Sequence, residues 1–188
     1  MDFVSSLTTK YPMISFDSTC INSIEKNITA QFMELAQKTL VWDVRSKLEN
    51  ISKNTLNETE AFNYYLTHRF GTNTIEYFFL EYPTLTRLLS ERLMYAMDNL
   101  EIIINSIKTS KKELSTTFGI KPPFSINNLQ SKKGDSHNKG KTTTILEINH
   151  VLLVYKFRDN NILRNYNLLL NFIQKTRLIS AYIKVNIL

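Results

Sequence analysis

Apolar residues in the first hundred or so positions recur at helical spacing. Ile28, Phe32, Leu35, Ala36 and Leu40 start one pattern, and Val44, Leu48 and Ile51 continue it. Asn57, with Glu60 three residues on, has the form of a capping box opening a second helix. Phe62, Tyr65, Leu66 and Phe70 would be its apolar face, and Gly71 its end. A short apolar helix is expected around Ile75 to Leu80. Pro83 then opens a long helix, at a position where its missing N–H costs nothing. Leu85, Leu89, Leu93, Ala96, Leu100, Ile103 and Ile107 form its stripe, and Leu114 and Phe118 extend it to Gly119.

The pattern changes after Gly119. Lys121-Pro122-Pro123 cannot continue a helix. Ser125 to Lys133 is polar and reads as a connector or a weak strand. Thr142 to Ile148 and Val151 to Phe157 are β-type runs separated only by Asn149 and His150, which predicts a tight hairpin. Asp159 or Asn160 is placed to cap a last helix through Ile162, Leu169 and Ile173. The expected fold class is α+β, mostly α. A helical part over 1–120 is followed by a loop, hairpin and helix over 121–188.

Composition narrows the function classes. With 188 residues, 43% of them hydrophobic, the chain can bury a core without a staple. One cysteine, Cys20, excludes an internal disulfide and a cysteine-based zinc site, and no metal site is expected. Neither a signal peptide nor a membrane span is apparent, which points to a cytoplasmic protein. Charge is uneven. Up to Asn105 there are 9 basic and 13 acidic residues, net −4; from Ser106 onward there are 14 and 4, net +10. An anionic ligand would meet the second part. A basic face that only meets water fits the same numbers. No recognition-helix or stacking-aromatic motif accompanies the charge, so nucleic acid is not the expected partner.

Two of the four glycines bracket the loop Gly134-Asp-Ser-His-Asn-Lys-Gly140-Lys-Thr142. A P-loop needs four residues between its glycines and joins a strand to a helix. Here five intervene, and the loop enters a hairpin. In kinase-like folds, by contrast, a loop covers the nucleotide phosphates and a strand lysine neutralises them. Lys156 has that position in Leu153-Val-Tyr-Lys-Phe-Arg158. Alternation puts Val154 and Lys156 on one face and Tyr155 and Phe157 on the other. Solvated charges on an edge strand are the plainer reading of Lys156 and Arg158. Asp135 and His137 are two apart, suited to a shared proton-transfer task or simply to a turn. His68, His150 and Ser136 have no context that marks them as catalytic.

Gly134-Asp-Ser-His-Asn-Lys-Gly-Lys141 followed by Leu153-Val-Tyr-Lys-Phe-Arg158 resembles the dehydratase domain of type 2 lanthipeptide synthetases, the LanM family. Tyr82-Pro83-Thr-Leu-Thr-Arg-Leu-Leu89 and Lys112-Glu-Leu-Ser-Thr-Thr-Phe-Gly119 resemble further elements of it, and the likeness covers roughly residues 30 to 174. The resemblance implies a lipid-kinase-like core, of which the hairpin and helix would be part of the N-lobe. Family members use ATP and Mg²⁺ to phosphorylate Ser and Thr of a ribosomal precursor peptide, then eliminate the phosphate. Carried over, Lys156 would contact phosphate, Asp135 and His137 would serve elimination, and Arg158 would bind an anion. Phe157 stands where the family has proline. The Asp-x-His-x-x-Asn segment of phosphoryl transfer, the later elimination residues and the zinc cyclase are missing from these 188 residues, and the pattern is lost after Thr176. The implied protein is an N-terminal dehydratase fragment, inactive alone and without bound cofactor, whose partners are the precursor peptide and a C-terminal lobe encoded separately. The alternative is a non-catalytic accessory module that binds the precursor peptide. With strands missing, the hairpin's edges are expected to be open.

Overall fold

The computed structural model describes residues 2–51, 57–131, 139–158 and 161–175. It is α+β and mostly helical. Seven helices are described: α1 (Asp2–Lys10), α2 (Ser18–Ile51), α3 (Glu58–Phe70), α4 (Ile75–Glu81), α5 (Pro83–Thr109), α6 (Lys111–Phe118) and α7 (Asn161–Lys175). Strands β1 (Ile14–Phe16), β2 (Phe124–Gln130), β3 (Thr144–Ile148) and β4 (Val151–Tyr155) form one sheet in the order β1-β2-β3-β4. Two compact units emerge. One is Met1–Ile24 with Met97–Leu188, and the other is Glu25–Ala96. The divisions fall inside α2 and α5. Residue 120, where the composition changes, lies within the first unit.

In the first unit the sheet is amphipathic. Phe124, Ile126, Leu129, Leu146, Ile148 and Leu153 are buried, while polar and half-exposed residues alternate with them. Ile126 and Ile148 are register partners and fully buried. The polar stretch after Pro123 is thus an internal strand, β2. A register shift between Ile126 and Asn128 lets Asn127 and Asn128 occur together without turning Leu129 outward. β2 covers one edge of the hairpin, so among the described residues one hairpin edge, that of β4, has no strand beside it, where two open edges were expected. Neither α1 nor β1 has a clear periodicity signal. β1 is three residues long and runs parallel to β2, with Phe124 N–H donating to the Met13 carbonyl at 2.8 Å.

The helix that opens at Pro83 does not reach Gly119. It stops at Thr109, where the Thr109 hydroxyl donates to the Asn105 and Ser106 carbonyls and competes with the main-chain ladder. α6 starts again from Ser110 and ends at Gly119, whose φ of +70° suits glycine; Ile120 N–H then closes onto the Leu114 carbonyl. The stripe of α5 also differs in detail, with Ile104 fully buried and Leu93 exposed. α7 is present where the last helix was expected; along it Asn167 is buried, while Ile162, Tyr166, Leu169 and Phe172 are exposed. The cap expected from Asp159 or Asn160 lies outside the described residues.

In the second unit, Ala36, Phe78 and Leu85 form a small core with Leu35, Leu40, Phe70, Phe79, Tyr82 and Leu89 packed against it. Asn57 caps α3 as expected: its Oδ1 accepts from Glu60 N–H at 2.9 Å, and Glu60 Oε2 accepts from Asn57 N–H. The buried face of α3 is Ala61 and Tyr65, whereas Phe62 and Leu66 are exposed. Beneath Tyr65 lies a fully buried carboxylate, Asp43. Arg69 grips it with two hydrogen bonds, Nε to Oδ2 at 2.9 Å and Nη2 to Oδ1 at 2.7 Å. The Tyr65 and Tyr82 hydroxyls donate to it at 2.7 and 2.8 Å. Burial raises the Asp43 pKa, but these donors outweigh it and hold the carboxyl below its ordinary range. Tyr82, half of the Tyr-Pro element, therefore has a structural task.

Candidate functional site

The hairpin turn fixes the site. Asn149 and His150 have φ of 49° and 64°, the left-handed pair that a two-residue hairpin link demands. Asn149 also ties the turn down. Its Oδ1 accepts from Ser125 N–H at 2.7 Å, and its Nδ2 donates to the Lys121 and Pro123 carbonyls at 2.9 and 3.1 Å. The His150 N–H donates to Asn127 Oδ1. With the turn held, β3 and β4 pair in regular register from Ile148↔Val151 to Thr144↔Tyr155. Lys156 follows directly.

The alternation expected for this strand is present. Leu152, Val154, Lys156 and Arg158 are exposed; Leu153 is buried, and Tyr155 and Phe157 are half-buried. The Tyr155 hydroxyl meets Ser106 Oγ of α5 at 3.0 Å. Its ring packs edge-on to Phe157, with centroids 5.0 Å apart. Lys141 Nζ lies 5.7 Å from the Phe157 centroid. The loop motif's last lysine thus reaches the strand motif's aromatic residue, with Lys156 and Arg158 on either side of it in sequence. The Lys139 carbonyl accepts from Asn99 Nδ2 of α5 at 3.1 Å, so the end of the loop is anchored too.

Beside β4 is a partly open cavity of about 250 Å³. Apolar side chains of α5, α6 and the sheet line it, together with Ser106, Ser110, Tyr155, Lys156 and Arg158. Hydroxyls and two cations lining one cavity suit an anion. Of the four residues singled out from the sequence, the structure brings Lys156 and Arg158 to this cavity. Asp135 and His137 lie outside the described residues. Among the described residues, no three His, Cys, Asp or Glu side chains converge as a metal site.

Other candidates have structural explanations. His68 Nδ1 is 2.9 Å from the Tyr64 carbonyl, and its ring stacks on Tyr64. His150 lies 3.5 Å from Glu147 on the surface. Cys20 is buried, and burial pushes its thiol up to about 12, far from the thiolate that reacts. The Asp43–Arg69 cluster had no sequence signal beyond an acid inside the apolar run Leu40-Val-Trp-Asp43-Val44.

Comparison with known proteins places this site inside a matched region. Residues 82–188 match a family described as Domain of unknown function (DUF4135). No curated protein matches the chain. No described helix is long and apolar enough to cross a membrane.

Proposed function

The chain belongs to the DUF4135 family, and on that premise we propose that it forms the N-terminal part of a lanthipeptide dehydratase, with Lys156 as its contact to a nucleotide phosphate. One observation carries the proposal. Lys141, from the loop motif, lies against Phe157, between Lys156 and Arg158 of the strand motif. The described end of the loop motif is therefore a neighbour of the strand motif in space as well as in order. The family match contains both motifs and the Tyr82-Pro83 element, and the family is associated with lanthionine synthetase-like proteins.

In this role Lys156 and Arg158 hold phosphoryl oxygens, while Lys141 adds positive charge from the loop. The part assigned to Asp135 and His137 is phosphate elimination. Phosphoryl transfer needs the lysine, the metal ligands and a base placed together. The 188 residues contain no Asp-x-His-x-x-Asn segment to supply the last two. For these 188 residues by themselves the proposal is therefore phosphate binding rather than transfer. Incubation with labelled MgATP and a Ser/Thr-containing peptide tests this. No labelled peptide is expected, and Lys156-dependent labelling would overturn the claim of inactivity.

A further inference from the structure

Among the described residues, β4 is the outer strand of the sheet. Exposed edges in folded proteins usually carry a proline, a charge or a bulge that prevents strand addition. Within Val151–Tyr155 β4 has none of these, the first charges being Lys156 and Arg158 just beyond its end. Val151-Leu-Leu-Val-Tyr155 is wholly apolar or aromatic and pairs with β3 in unbroken register. Leu152 and Val154 are 68% and 58% exposed. Main-chain N–H and C=O groups of an outer strand that point away from its neighbour are the groups an added strand pairs with.

The 250 Å³ cavity is lined by residues of this same strand. Leu153 and Tyr155 line it from the covered face of the strand, Val154 and Lys156 from the other. Ile107, Leu114 and Leu146 make its interior apolar, whereas Lys156 and Arg158 make its rim cationic. Neither cation has an ion-pair partner among the described residues.

We propose that β4 accepts an extended acidic peptide segment as a fifth strand. One apolar side chain of the peptide enters the cavity, and a neighbouring carboxylate meets Lys156 and Arg158. Main-chain pairing supplies affinity, and the cavity and its cations supply selectivity. The two charged residues lining the cavity, Lys156 and Arg158, are both cations and set the sign of the partner. This inference stands on the strand edge and the cavity, and needs no nucleotide. It gives peptide capture a location.

The test is selection of displayed random peptides, about twelve residues long, on the full chain, enough to span one strand and its flanks. Synthetic copies of the enriched peptides are then titrated. Enriched sequences should alternate β-formers, with Asp or Glu beside an apolar residue. Methylating alternate peptide amides should abolish binding. Lys156→Glu with Arg158→Glu should weaken it at least about tenfold with circular dichroism unchanged. The milder Lys156→Gln with Arg158→Gln pair should weaken it less, and serves if charge reversal disturbs folding. No enriched peptide, or affinity that survives both amide methylation and the charge variants, would overturn the proposal. ATP binding that depends on Lys156 without any selected peptide would sink this inference and leave the nucleotide reading standing. Peptide binding without ATP binding would do the reverse.

Discussion

Lys141 Nζ lies 5.7 Å from the centroid of the Phe157 ring. Two residues sixteen positions apart thereby join the end of the Gly134–Lys141 loop to the end of the hairpin. Phe157 also meets Tyr155, so one side chain closes a chain of contacts from the loop to Ser106 of α5. Phe157→Leu keeps an apolar body and removes the ring's negative face. It should cost about 0.5–1 kcal/mol, the usual worth of an exposed cation–ring contact. Chemical denaturation of the variant and of Lys141→Met, with the double variant to close the cycle, measures it. Additive losses would show that the contact carries no energy.

Asp43 is the strongest electrostatic commitment in the second unit. Asp43→Asn leaves Arg69 half-buried and strips its partner charge, so a loss of about 3–5 kcal/mol is expected. Tyr65→Phe and Tyr82→Phe each remove one donor to the carboxylate, and each should cost about 1.5–3 kcal/mol. Denaturant midpoints followed through the tyrosine signal and by circular dichroism decide this. Unchanged midpoints would mean that the cluster is only tolerated.

The same carboxyl sets a pH dependence. Its folded pKa is depressed, so its stabilisation is present above the unfolded value of about 3.9 and is lost as pH falls through the lower folded value. Glu81, hydrogen-bonded to Lys47 and Arg69, is lowered as well and acts in the same direction. Acid unfolding of the second unit should therefore be steepest below about pH 4. The dependence should flatten in Asp43→Asn. A curve of identical shape in the variant would remove Asp43 from the account.

The two turn residues separate backbone from side-chain effects. His150 has φ of 64° and an exposed ring near Glu147, so His150→Gly should stabilise by about 0.5–1 kcal/mol. Asn149 has a similar φ, but its side chain makes three hydrogen bonds to the chain around Lys121–Ser125. Asn149→Gly should destabilise despite the easier backbone. Thermal melts of the two variants should move in opposite directions.

Much of this was legible in the sequence because it is local. The Asn57–Glu60 box, Pro83 at a helix start, Gly119 at a helix end and the Asn149-His150 turn each follow from neighbouring residues. What stayed hidden is long-range. β1 is three residues, and its partner β2 lies more than a hundred residues away, so no periodicity announces the pairing. β2 reads in sequence as a connector or a weak strand because its Asn pair and register shift break the alternation. α7 has a clear apolar stripe, but periodicity does not say which way a helix turns, and here Asn167 faces inward. Asp43 on α2 meets Arg69 and Tyr65 of α3 and Tyr82 at the C-cap of α4, elements joined only by folding. At the candidate site, the position of Lys156 and Arg158 could be read from strand alternation. Their shared cavity could not, because Ser106 and Ile107 of α5 complete it.

The central claim is that Lys156 contacts a nucleotide phosphate. The direct measurement is titration of the full chain with a fluorescent ATP analogue, alongside Lys156→Ala. The account predicts saturable binding to the unaltered chain, weakened at least about tenfold in the variant, as for loss of a charge-assisted contact. Equal affinity in the two proteins, or no binding to either, would contradict it.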